Sequence, residues 1–141
     1  RMAYTVLGDA VNLGSRLEGL TKQYGVYIIV SETTKACAPE FAYRELDRVR
    51  VKGKHEPVAI FEPLMLIDEL SETNKRELAQ QQKALEAYRW QVWDKAKKLF
   101  TDLAEQHPER MLYQIYLERT EHFIQHPPGD DWDGVFTFQT K

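Results

Sequence analysis

The chain has 141 residues, 43% of them hydrophobic and 29% charged, and a formal net charge of −3. That length is enough for one domain or two small ones. It contains no apolar run of the length that spans a bilayer and no signal-peptide pattern, and its acidic balance does not point to a nucleic-acid partner.

The first expected element is a short strand, Tyr4-Thr5-Val6-Leu7, and the chain opens at Arg1 just ahead of it, as a piece of a longer protein would. A Gly8-Asp9 turn leads into a helix over residues 9–24, with Asp9 as N-cap and Gly25 in the C′ role. Leu13, Leu17 and Leu20 form an apolar stripe on that helix. Beside it, Asn12 and Arg16 lie four residues apart and share a face. A carboxamide and a guanidinium one turn apart near a helix start make a grip for phosphate and ribose oxygens.

Val26 to Val30 is rich in β-branched and aromatic residues and reads as a buried strand. Ser31 caps a short helix over Glu32 to Ala38, which Pro39 ends. Cys37, the single cysteine, excludes an internal disulfide and fits a reducing compartment. It reads as a small buried apolar residue. Phe41 to Lys52 alternates as a strand, Gly53-Lys54-His55 turns, and Val58 to Leu64 returns, with Pro63 closing the unit. Asp47 reads as an exposed or paired surface acid. Arg48, Arg50, Lys52 and Lys54 recur every second residue, so a strand lines them up on one side. That row is either a solvated strand face or a surface for polyphosphate.

From Ser71 or Thr73, as the cap, the pattern turns helical: about Asn74 to Trp90, Trp93 to His107, and Met111 to Gln125. Trp93, Ala96, Phe100, Leu103 and Pro108 match the second helix of a tetratricopeptide repeat, and Ala84 falls where its first helix wants a small residue. Gln91 stands in the tight turn where that repeat usually has glycine. The three helices are either the start of such an array or a plain helical appendage. Residues 67–141 carry ten Lys/Arg against fourteen Asp/Glu, whereas residues 1–66 carry nine against eight. His122 and His126 sit one turn apart, but no third metal ligand accompanies them. Pro127-Pro128-Gly129 breaks the pattern, and the apolar Trp132-Asp133-Gly134-Val135-Phe136 end is expected to dock as a short strand or clamp.

Gly8-Asp9-x-Val11-Asn12-x-x-x-Arg16-Leu17-Glu18 resembles the signature segment of class III nucleotidyl cyclases. Val49-Arg50-Val51-Lys52-Gly53-Lys54 with Glu56-Pro57-Val58 resembles the closing β-hairpin of that family. The resemblance covers residues 1–66 and implies the C-terminal half of a cyclase catalytic domain. Residues 67–141 would then be a tetratricopeptide-like tail. The implied fold is α+β: a partial ferredoxin-like sheet with helices on one face, its first strands upstream of Arg1, followed by an all-α helical-hairpin tail.

The implied activity is adenylate cyclase chemistry, ATP to cyclic AMP and pyrophosphate, at sites shared between the subunits of a homodimer. Asn12 would orient the ribose and Arg16 would neutralise the α-phosphate in the transition state. Lys52, with Lys54 behind it, would meet the β- and γ-phosphates, and Thr5 would read the purine edge. The two Mg or Mn ions of the family are held by aspartates upstream of Arg1, so this stretch alone would be inactive. The resemblance also implies a cytoplasmic location. Tails ending in Trp-Asp-Gly-Val-Phe resemble those of bacterial cyclases whose upstream segments anchor them in the inner membrane. The alternative is a non-catalytic cyclase-like module that dimerises and signals to a protein partner through its helical tail.

Overall fold

The computed structural model describes residues 17–50 and 56–138. Their elements run α1 (Thr21–Tyr24), β1 (Val30–Ser31), α2 (Glu32–Cys37), β2 (Phe41–Arg50), β3 (Val58–Leu66), a 3-10 turn (Ile67–Glu69), α3 (Glu72–Arg89), α4 (Trp93–Gln106), α5 (Met111–Gln125) and β4 (Phe136–Thr137). The fold is mixed α+β. It divides into two units: Asp68–Val135, which is helical, and the remainder up to Ile67 together with Phe136 onward, which holds the sheet.

The sheet has the order β1-β3-β2-β4. β2 and β3 form its antiparallel centre, β1 flanks β3 antiparallel, and β4 runs parallel to β2 at Val49 and Arg50. The C-terminal apolar stretch therefore does dock as a short strand, and the Phe138 amide extends it by donating to the Arg50 carbonyl at 3.2 Å. β2 is not a uniform ladder. Glu45 pairs with Phe61 and Asp47 with Ile60, so Leu46 is an extra residue in a β-bulge. Before the bulge the buried positions are Ala42, Arg44 and Leu46; after it they are Asp47 and Val49. A second irregularity lies between Ala42 and Tyr43, where Tyr43 faces Pro63. Pro63 therefore does not close β3, which continues to Leu66; a residue without an N–H is tolerated where the ladder is already interrupted.

Further expectations for this unit need correction. The helix expected through residue 24 is interrupted: Leu17–Glu18 are helical, Gly19–Leu20 form a turn, and α1 resumes at Thr21. Glycine is the poorest helix former after proline, and the Thr21 hydroxyl donates to the Glu18 carbonyl at 2.8 Å. Gly25 does end α1 in the left-handed region, at φ 70°, and the Val26 amide closes back to Thr21 at 3.0 Å. The buried strand expected over 26–30 is reduced to Val30–Ser31, with Tyr27 98% exposed; β-propensity describes a fit to a pleated surface and does not supply a neighbour. Cys37 is exposed, not buried, on a helix without buried residues.

In the helical unit the expected boundaries hold closely. Ser71 is the N-cap of α3: its hydroxyl accepts from the Asn74 amide at 3.0 Å, and Asn74 Oδ1 accepts from the Ser71 amide at 3.1 Å. α3 ends at a turn in which Gln91 is left-handed, φ 61°, so that the Val92 amide can reach the Ala87 carbonyl at 2.8 Å. Ala84 and Ala96 are fully buried, as are Phe100, Leu103, Tyr113 and Tyr116. Tyr88 is the hub, its ring meeting those of Trp93, Phe100, Tyr116, Phe123 and Trp132 edge-on or tilted. Phe100 and Tyr116 stack at 4.9 Å.

Candidate functional site

All five residues singled out from the sequence, Thr5, Asn12, Arg16, Lys52 and Lys54, lie outside the described residues. What the structure shows is the framework that leads to and from them. Leu17, the residue after Arg16, is 2% exposed, and Leu20 and Tyr24 are buried on the same run. The apolar stripe expected beside the Asn12/Arg16 pair is thus in the core at its two described positions. On the other side, β2 delivers the chain to residue 50, two positions before Lys52, and β3 receives it at Val58.

The two framework segments are tied to each other. The Tyr24 hydroxyl donates to Asp47 Oδ2 at 2.6 Å, and the Arg48 amide donates to Asp47 Oδ1 at 2.8 Å. Asp47 is 1% exposed, which corrects its reading as a surface acid. The signal was the strand phase. Regular alternation from Ala42 puts residue 47 outward, and only the extra residue at Leu46 turns it inward. Nothing in the composition announces that bulge.

The same bulge sets the phase of Arg48 and Arg50, the two described members of the basic row. Arg48 is exposed and Arg50 half-buried, both in the outward phase that follows Leu46. Arg48 is not a bare charge, since its Nε lies 3.8 Å from Glu45 Oε2. On the inward face Arg44, 3% exposed, reaches Glu62 Oε1 at 3.5 Å across the β2–β3 pair. Its charge serves the interior of the sheet, where a buried cation needs such a partner.

The helical unit holds a second polar cluster that sequence reading passed over. Glu77 is buried and accepts from the Tyr113 hydroxyl at 2.5 Å. Arg110 Nε approaches Glu77 Oε2 to 2.7 Å as an ion pair without aligned hydrogen-bond geometry, and His107 Nε2 lies 3.6 Å from Glu77 Oε1. Tyr113 also reaches Gln81 Oε1 at 3.1 Å. Every member has a protein partner, which marks a structural knot joining α3 to the α4–α5 turn. His122 and His126 stand with ring centroids 5.0 Å apart. Among the described residues no group of three His, Cys, Asp or Glu side chains could hold a metal ion, and no helix is long and apolar enough to cross a membrane.

Comparison with known proteins bears on what this framework serves. The chain is 48% identical over 66 residues to an adenylate cyclase of Anabaena cylindrica, a match covering 44% of this chain. It is 36% identical over 128 residues, 84% of its length, to the terminal-differentiation specific adenylate cyclase of Dictyostelium discoideum. It is 34% identical over 74 residues, 52% of its length, to adenylate cyclase 1 of Rhizobium meliloti (strain 1021). The chain spans 13%, 6% and 11% of the lengths of these relatives, respectively. The Dictyostelium match is too long to lie within the sheet unit alone and includes part of the helical region. No protein-family model matches the chain, and no solved structure matches it significantly. The chain is therefore related to adenylate cyclases over parts of its length.

Proposed function

We propose that residues 1–66 are the C-terminal half of a class III adenylate cyclase catalytic domain and residues 67–141 a tetratricopeptide-like tail. The observation that carries this reading is the 48% identity over 66 residues to an adenylate cyclase, joined to the Asn12/Arg16 and Lys52/Lys54 motifs of the sequence. The reaction is attack of the ribose 3′-oxygen of ATP on the α-phosphorus. The O3′–Pα bond forms, the bond from Pα to the bridging oxygen of the β-phosphate breaks, pyrophosphate leaves, and the hydroxyl proton passes to solvent or a base.

In this reading Asn12 orients the ribose, and Arg16 offers a fixed two-pronged donor to the charge that builds on the α-phosphate. Lys52, with Lys54 behind it, neutralises the departing pyrophosphate, and Thr5 meets the adenine edge. Phosphoryl transfer of this kind depends on positioning and electrostatics more than on covalent help. The Mg or Mn ions of such enzymes find no cluster of ligands among the described residues, so no step is assigned to a metal on this chain. The sites would lie between the subunits of a homodimer, one giving the metal-holding aspartates and the other Asn12 and Arg16; the isolated stretch would be inactive because those aspartates belong upstream of it. The catalytic half would be cytoplasmic, with the longer protein anchored by segments upstream, and the helical tail would take a protein partner.

The test is cyclic nucleotide production by the full-length protein with manganese and ATP or GTP, wild type beside Arg16→Ala. Cyclic AMP from the wild type and a loss of turnover of about a hundredfold or more in the variant is the expected result. Folded proteins with no product from either would replace the cyclase reading with that of a non-catalytic signalling module.

A further inference from the structure

We infer that Tyr24 and Asp47 are positioning residues for the proposed cyclase reaction, acting through the two segments they tie together. The inference rests on the cyclase reading above. Two independent features of the fold converge on one carboxylate. The bulge at Leu46 turns Asp47 inward, where an uninterrupted strand would face it to solvent. Tyr24, itself 2% exposed, then meets it with a hydroxyl at 2.6 Å.

Burying a carboxylate is a poor way to gain stability, because its desolvation offsets what the partner returns. It is a good way to fix one arrangement, since a hydrogen bond is directional and apolar packing is not. Bulges recur where a strand must re-aim a particular side chain. Here the re-aimed residue locks the run that begins directly after Arg16 to the strand that ends two residues before Lys52. Those two cations act on the same triphosphate in the proposed mechanism, so their relative placement decides how well charge is met in the transition state. An error on the order of 1 Å there costs up to about a hundredfold in rate.

The experiment measures kcat and KM for ATP on the full-length protein as wild type, Tyr24→Phe, Asp47→Asn and the double variant, with melting temperatures alongside. Tyr24→Phe is expected to lower kcat about tenfold or more while KM stays within about twofold, the signature of an interaction realised in the transition state. The double variant should be no slower than the worse single one, as coupled residues require. If Tyr24→Phe does not fold, Asp47→Asn decides by the same split. An unchanged kcat, a change confined to KM, or additive losses in the double variant would each overturn the positioning role while leaving the cyclase reading intact. A folded wild type without cyclic AMP would end both readings, and it would do so before any variant is compared.

Discussion

The side-chain amide of Gln91 donates to the Gly129 carbonyl at 2.6 Å, and the backbone of the same residue is left-handed at φ 61°. The turn between α3 and α4 needs that conformation, and glycine would adopt it without strain. Glutamine instead uses its side chain to hold the segment that follows α5. Gln91→Gly should therefore be nearly neutral, because relief of backbone strain is offset by the lost hydrogen bond and by added freedom in the unfolded chain. Gln91→Val should cost about 1–3 kcal/mol, since a β-branched residue in that region is strained and makes no such bond. Urea unfolding of the two variants checks both; equal stabilities would refute the backbone argument.

The Glu77 cluster should be sensitive to loss of one member. Tyr113→Phe removes a donor shared between Glu77 and Gln81 and should cost about 1–2 kcal/mol. Glu77→Ala should cost about 2–3 kcal/mol; Arg110, 30% exposed, can turn to water and so limits the damage. Calorimetry on both variants gives the comparison, and a Tyr113→Phe protein as stable as wild type would show that the knot is not under tension from burial.

Leu17 is the described end of the apolar stripe, at 2% exposure. Leu17→Ala should destabilise by about 2–5 kcal/mol as a core truncation. A thermal shift near zero would mean that this face is not buried in solution.

Cys37 is exposed on a short helix. A maleimide should modify it in the native protein without denaturant, and Cys37→Ser should change stability by less than about 0.5 kcal/mol. Labelling that requires urea would contradict the exposed placement.

Local chemistry was the legible part. Ser71, Ser31 and Gly25 mark element ends because capping and left-handed turns depend on a few neighbouring atoms. The helical boundaries around Trp93 and Met111 followed from periodicity and the Pro108 break. What escaped depends on distant partners. Tyr27 and Ile28 have strand-like side chains but remain exposed, 98% and 56%, because a strand needs a neighbour that composition does not name. Asp47 looked like a surface acid because its burial is created by one extra residue in β2 and by a tyrosine from another element. Glu77 went unnoticed for a similar reason: its partners Arg110 and Tyr113 come from more than thirty positions away. For the candidate site, the sequence supplies the motif residues and the structure supplies their flanks, Leu17 on one side and the β2–β3 pair on the other.

The extra residue at Leu46 also makes β2 a strand with a frameshift. Ironing the bulge out while keeping every residue would move Asp47 and Val49 to the solvent side and drive Arg48 and Arg50 into the interior. That slipped frame buries two guanidinium groups, so it is closed to the folded protein and guards the correct pairing with β3. Deleting Leu46 itself would leave both halves of the strand in frame. Its cost would be the loss of one fully buried leucine and of the local bend. A related chain one residue shorter at this point can therefore keep the same outward arginines, and alignments that place the gap elsewhere in β2 would misassign which basic residues face out.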